Sequence, residues 1–232
     1  MDSTQIAVSP SLVAAARTRA SFDWSESVIV VPAVLALLAV VSFLFVDLPL
    51  GAWVKVGSFP DGIDKFLEAS EHFGTFYGHV LIFLLIFAMD PAHRRNLVRL
   101  GAAAWSAGLA TNVIKLLIAR TRPKYHDFAS LASGHGFLGF APGLPGGSRI
   151  QGFPSAHTAT AVGFAVALAH VYPRGRRVFY LLAGLVGLQR IATSSHFASD
   201  VLAGAAVGWL VGVAFTSSRV GRRFDSFETS AP

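Results

Sequence analysis

Residues 28–46 read VIVVPAVLALLAVVSFLFV, an uncharged run of 19 residues from Val28 to Val46. As a helix it would extend about 28 Å, close to the depth of a bilayer's hydrocarbon core. Reading outward, further runs follow. Phe73 to Met89 carries no charge. Leu100 to Ile114 is apolar and rich in Gly and Ala, and continues through Lys115 to Ala119. Ala156 to Tyr172 holds two histidines but no Asp, Glu, Lys or Arg. Val178 to Gln189 and Val201 to Ser218 complete the series. The expected fold is all-α, an integral membrane bundle of six transmembrane helices. Small residues in the later spans, such as Gly204, Gly208 and Gly212, predict close helix packing.

Composition agrees with that reading. Of 232 residues, 53% are hydrophobic and 14% charged, where soluble domains carry about 25%. The mean hydropathy is +0.56. These values argue against a disordered chain and a typical soluble enzyme. Cysteine is absent, which excludes a disulfide framework, a zinc-thiolate site and a cysteine nucleophile. The net charge of +6 points to anionic headgroups and orientation signals rather than nucleic acid.

Alternate connections divide the cations unevenly. One side receives eleven Lys and Arg, from Arg17 to Arg223, against eight on the other. Three of those eight, Lys115, Arg122 and Arg190, belong to the constellation described below. The positive-inside rule then puts both termini in the cytoplasm. The expected organisation is a cytoplasmic tail over residues 1–26, a six-helix membrane domain over 27–218, and a cytoplasmic tail over 219–232. The polar, mixed residues before Val28 do not resemble a cleavable signal peptide. Ser9-Pro10 is a possible start of a short surface helix. Pro60-Asp61 begins a second pattern, with Ile63, Phe66, Leu67 and Phe73 at helical spacing among Asp64, Lys65, Glu68 and Glu71. It suggests a short amphipathic helix at the interface, with a solvated linker as the alternative.

Charges and histidines at a membrane edge are costly, so they mark candidate functional residues. They fall in three clusters that span parity places on one membrane face. Lys115 and Arg122 are seven apart, about two helical turns, and Pro123 follows to stop the helix. Two such cations suit a dianion, and Arg offers a fork matched to phosphate oxygens. Ser155, after Pro154, occupies an N-cap position at the start of an apolar helix, where backbone N–H groups form a ready anion site. His157 lies in the first turn of that helix, a candidate proton donor beside a phosphate. His196 and Asp200 are four apart, as on one helical face, and a carboxylate on one ring nitrogen leaves the other free to attack or to bind. Arg190 adds a third cation. Together these are the equipment for phosphoryl transfer through a phosphohistidine.

The ordered patterns Lys115-x6-Arg122-Pro123, Pro154-Ser155-x-His157 and Arg190-x5-His196-x3-Asp200 resemble the type 2 phosphatidic acid phosphatase superfamily. That family includes integral-membrane lipid phosphatases, glucose-6-phosphatase and the vanadium haloperoxidases. The resemblance implies that Lys115, Arg122 and Arg190 bind phosphate oxygens, with Ser155 and the Ala156 backbone completing the cradle. It implies His196 as nucleophile, Asp200 as its orienting partner and His157 as proton donor, with no metal and no cofactor. Two positions depart from the family pattern: Ala156 replaces a usual glycine, and Gln189 a usual serine.

The expected activity is hydrolysis of a lipid phosphate or lipid diphosphate at the outer face of a bacterial inner membrane. The implied partners are that lipid substrate and the bilayer, with no nucleic acid and no obligate protein partner. A vanadate-dependent haloperoxidase and a non-enzymatic lipid or phosphate carrier are the alternatives; an oriented nucleophile argues against the carrier. His126 and His135, in the long connection between the first two motifs, match no motif. They read as headgroup contacts or as parts of a polar loop. Gly143 to Gly147 with Arg149 suggests a lid.

Overall fold

The computed structural model of the chain describes residues 24–57, 60–130, 134–140, 147–217 and 219–229. The possible surface helix at Ser9-Pro10, and most of the expected N-terminal tail and lid, lie outside them. Helix α1 runs Trp24–Phe45, α2 Asp47–Val56, α3 Asp61–Glu71, α4 Phe76–Met89 and α5 Asn96–Leu117. Strands β1 (Ile118–Arg120) and β2 (Phe137–Phe140) follow. Then come α6 (Ala156–Val171), α7 (Arg176–Ala192), α8 (Ala198–Ser217) and α9 (Arg219–Thr229).

Among the described residues, three helices are long and apolar enough to cross a membrane: Val28–Phe45, Asn96–Leu117 and Ala198–Ser217. A fourth crossing results if α3 and α4 count as one span bent by 71°. Helix α6 is apolar but has 16 residues. Its place explains its composition. Ala159, Ala161, Phe164, Ala165, Val166 and Ala167 are fully buried, so α6 is enclosed by protein rather than lipid. By contrast only 11% of the α1 window is buried, and Ile29, Leu37 and Phe45 point outward as lipid-facing residues do.

Helix α8 seats on α6 through the spacing Gly204-x3-Gly208-x3-Gly212. A Cβ at Gly208 would lie 2.4 Å from the Ala159 carbonyl oxygen, and one at Gly204 2.4 Å from that of Ser155. Gly208→Ala is therefore expected to force the helices apart, at an overpacking cost of about 1–3 kcal/mol. Gly184→Ala, with nothing within 4 Å of the added carbon, serves as the control. Thermal unfolding in detergent should show a lower midpoint for the first variant alone.

The amphipathic pattern after Pro60 is a helix, α3, with Leu67 buried and Ile63 and Phe66 exposed. The all-α expectation needs one correction. The third apolar segment leaves the helix at Leu117, before Pro123, and Ile118–Arg120 pairs antiparallel with Phe137–Phe140. Beyond Leu117 the backbone finds partners in the long connection. Arg120 N–H donates to the Ile150 carbonyl and Thr121 N–H to that of Gly136. Gly136 and Gly139, at φ +72° and +121°, give that connection bends other residues rarely adopt. Residues 24–26, expected in the tail, already belong to α1, and residues 219–229 are helical. Buried Arg99 of α5 pairs with Asp225 and Glu228 of α9.

Candidate active site

Three chain segments converge at one end of the bundle: the turn after α5, the start of α6, and the α7–α8 turn. Ser155 caps α6. Its Oγ accepts from Thr158 N–H at 3.5 Å and from the Thr158 hydroxyl at 2.9 Å. Its own N–H donates to the Asp200 carbonyl at 2.9 Å, tying α6 to α8. The first N–H groups of a helix have no intrahelical acceptor. Those of Ala156 and His157 head α6 in this way, at the positive end of its dipole.

His196 lies in the turn before α8, which begins at Ala198. The turn is held by the Ser195 and His196 N–H groups, which both donate to the Arg190 carbonyl at 3.1 Å. The ring is 2% exposed. Its Nδ1 donates to the Gly152 carbonyl at 2.6 Å, while Asp200 Oδ2 stands 3.8 Å away. The direct partner that fixes the tautomer is therefore a backbone carbonyl, with Asp200 behind it. A proton on Nδ1 leaves the Nε2 lone pair free. Burial holds His196 below the ordinary histidine value of 6.5, although Asp200 pulls it upward.

Asp200 is engaged elsewhere. Its Oδ2 accepts from Phe197 N–H at 2.8 Å, and its Oδ1 from Arg120 Nη1 at 2.6 Å. Arg120 also donates to Ser199 Oγ at 2.6 Å, to Asp47 Oδ2 at 2.7 Å and to the His135 carbonyl at 3.1 Å. Asp47 Oδ1 accepts from Ser199 N–H and from Ser42 Oγ. Arg120 is 2% exposed and lies over Phe197 and Phe43. An Asp–Arg–Asp assembly thus pins the starts of α2 and α8 to β1.

Three cations, Lys115, Arg122 and Arg190, lie around His157. Lys115, in the last turn of α5, is nearly buried. Lys115 and Arg122 lie within electrostatic reach of both His157 and His196. Arg122 Nε is buried and bonds nothing among the described residues, as expected of a guanidinium shaped for an external anion. Arg190, at the end of α7, is oriented by its own neighbour, Nε donating to Gln189 Oε1 at 2.6 Å. His157 is less enclosed than His196, its side chain 40% exposed against 2%.

The eight residues singled out in the sequence thus lie around one region. Sequence reading passed over Arg120, Asp47 and Ser199, which brace the site, and Glu71. The end of an apolar run at Asp47 was the available signal for that acid. His126 and His135 act as braces. The His126 carbonyl accepts from Lys55 at 2.7 Å, and the His135 ring stacks on Phe43. An apolar groove of about 540 Å³ lined by Val40, Phe43, Phe137, Phe140 and Ala203 adjoins Arg120.

Comparison with known proteins gives the family. The chain is 31% identical over 186 residues to a lipid A 1-phosphatase of Rhizobium johnstonii, covering 73% of this chain and 71% of that protein. It is 35% identical over 138 residues to a decaprenylphosphoryl-5-phosphoribose phosphatase of Mycolicibacterium smegmatis, covering 59% and 68%. The crystal structure of Aquifex aeolicus LpxE superposes with a TM-score of 0.53 over 72% of this chain and 92% of that one, at 21% identity, a likeness of fold. Residues 96–224, which hold all three clusters, match the PAP2 superfamily, and the chain belongs to that family.

Proposed function

We propose that this membrane lipid phosphatase transfers its substrate's phosphoryl group to His196 and then to water, at the outer membrane–water interface. The observation that carries the reading is the His196 ring, pinned through Nδ1 to Gly152 at 2.6 Å with Nε2 left free. In the first step Nε2 bonds to phosphorus and the ester bond breaks, its electron pair going to the leaving oxygen. His157 gives that oxygen a proton. In the second step water attacks phosphorus and the N–P bond breaks. The water's proton returns to His157, and inorganic phosphate leaves.

Lys115, Arg122 and Arg190 hold the phosphate oxygens, aided by Ser155 and the Ala156 N–H at the α6 terminus. Fixed donors of this kind stabilise charge without reorganising during reaction. Asp200 faces the positive charge that grows on the His196 ring. The substrate is a lipid phosphate, as the names of the relatives suggest, with its tail left in the bilayer. The apolar groove beside Arg120 fits that class.

A purified sample should release inorganic phosphate from at least one lipid phosphate in a panel that includes phosphatidate, lipid A and isoprenyl phosphates. No release from any of them would refute the reading.

The six-span arrangement, with residues 27–218 as the membrane domain, both tails in the cytoplasm and the site outside the inner membrane, is part of the same proposal. The chain has no cysteine, so single cysteines can report on it. In intact cells Ser148→Cys should react with an impermeant thiol reagent and Ser226→Cys should not. The reverse pattern would overturn the orientation.

A further inference from the structure

Glu71 ends helix α3, yet its carboxylate lies among the residues assigned to the phosphate. Its Oε1 is 2.9 Å from Arg190 Nη2 and 3.5 Å from His157 Nε2. Its Oε2 accepts from Gln189 Nε2 at 2.9 Å. Gln189, 2% exposed, also accepts from Arg190 Nε, so one amide fastens the carboxylate and the guanidinium together. Glutamate and glutamine thus act as a pair, drawn from helices far apart in sequence.

A fixed negative charge within an anion site opposes the site's first task, so its position matters. In-line displacement places the leaving oxygen opposite the nucleophile. With His196 attacking and His157 protonating, Glu71 sits on the side from which the leaving group departs. We propose that Glu71, held by Gln189, is a specificity-determining residue that favours phosphomonoesters of alcohols over lipid diphosphates. The inference rests on the phosphohistidine reading above.

The chemistry distinguishes the two substrates only in the first step. For both, a bond forms between His196 Nε2 and the terminal phosphorus, and the bond from that phosphorus to the ester or bridging oxygen breaks. With a monoester, the oxygen takes the His157 proton and leaves as an alcohol. No new charge faces Glu71. With a diphosphate, the bridging oxygen leaves as part of an anionic phosphate monoester. That group must sit beside the Glu71 carboxylate, and like charges in contact are disfavoured. The second step, hydrolysis of the N–P bond, is the same for both. A carboxylate that only anchored Arg190 would affect the two substrates equally.

The test compares the full-length native protein with Glu71→Gln and Glu71→Asp. The substrates are phosphatidate and diacylglycerol diphosphate with identical acyl chains, presented in mixed micelles. The native protein should prefer phosphatidate. Glu71→Gln should shift the ratio of kcat/KM values toward the diphosphate by roughly tenfold or more. Glu71→Asp, which keeps the charge, should keep the preference. Competition binding supplies a second readout that needs no turnover: Glu71→Gln should tighten binding of inorganic pyrophosphate relative to inorganic phosphate.

An unchanged ratio in both measurements, including an equal loss of both activities, would overturn the inference and leave the mechanism standing. A native preference for the diphosphate would do the same. Failure of the native protein to hydrolyse any lipid phosphate would overturn the mechanism, and this inference with it.

Discussion

His196→Ala should abolish turnover, with a loss on the order of 10⁴-fold or more. The substitution removes the attacking atom. The ring is buried and pinned to Gly152. His196→Asn is the sharper variant. Its side-chain amide can still donate to the Gly152 carbonyl, so the turn before α8 should keep its shape. It offers no nucleophilic nitrogen, and it should be as inactive as alanine. Adding His157→Ala to either variant should change little, because residues that act as a unit are strongly non-additive. Phosphate release from the preferred lipid, measured beside thermal unfolding, separates lost chemistry from lost fold. Substantial residual activity in His196→Asn would count against a covalent intermediate on this residue.

Arg120→Ala should be the most damaging substitution for stability. The guanidinium stands between Asp47 and Asp200, all three nearly or fully buried. Removing it leaves two buried carboxylates without their cation, and breaking such a pair costs about 3–5 kcal/mol. It also frees Asp200 from its place behind His196. The expected result is a large drop in the unfolding midpoint together with lost activity. Arg120→Lys should fall between the two, since one ammonium cannot reproduce the fork that reaches Asp47, Ser199 and Asp200. Normal stability with lost activity in Arg120→Ala would place Arg120 in the chemistry instead.

What the sequence revealed depended on how local the signal was. The Ser155 cap, the amphipathic helix after Pro60 and the apolar segments are patterns within one stretch of chain. The three motif clusters stood out because charge and histidine are costly at a bilayer edge. The bond that orients His196 was not visible, because its acceptor is the backbone carbonyl of Gly152, 44 residues away. A carbonyl has no side-chain signature. The four-residue spacing suggested a shared helical face with Asp200, but the helix starts two residues after His196. Arg120 read as one more cation in a connection. Its partner Asp47 lies 73 residues away, so no local spacing could join them. Glu71 was one acid among several on the polar face of α3, and only the docking of α3 on α7 brings it to Arg190. The β1–β2 ribbon was hidden because Gly139 interrupts the short apolar run from Phe137 to Phe140.

The central claim is that phosphate passes through His196 on its way to water. Two in-line displacements each invert the configuration at phosphorus, so together they restore it. The direct measurement uses a lipid phosphate made chiral at phosphorus with sulfur and oxygen isotopes, hydrolysed in water of the remaining isotope. Retention of configuration in the released thiophosphate is the predicted result. Inversion would mean a single attack by water and would contradict the phosphohistidine account.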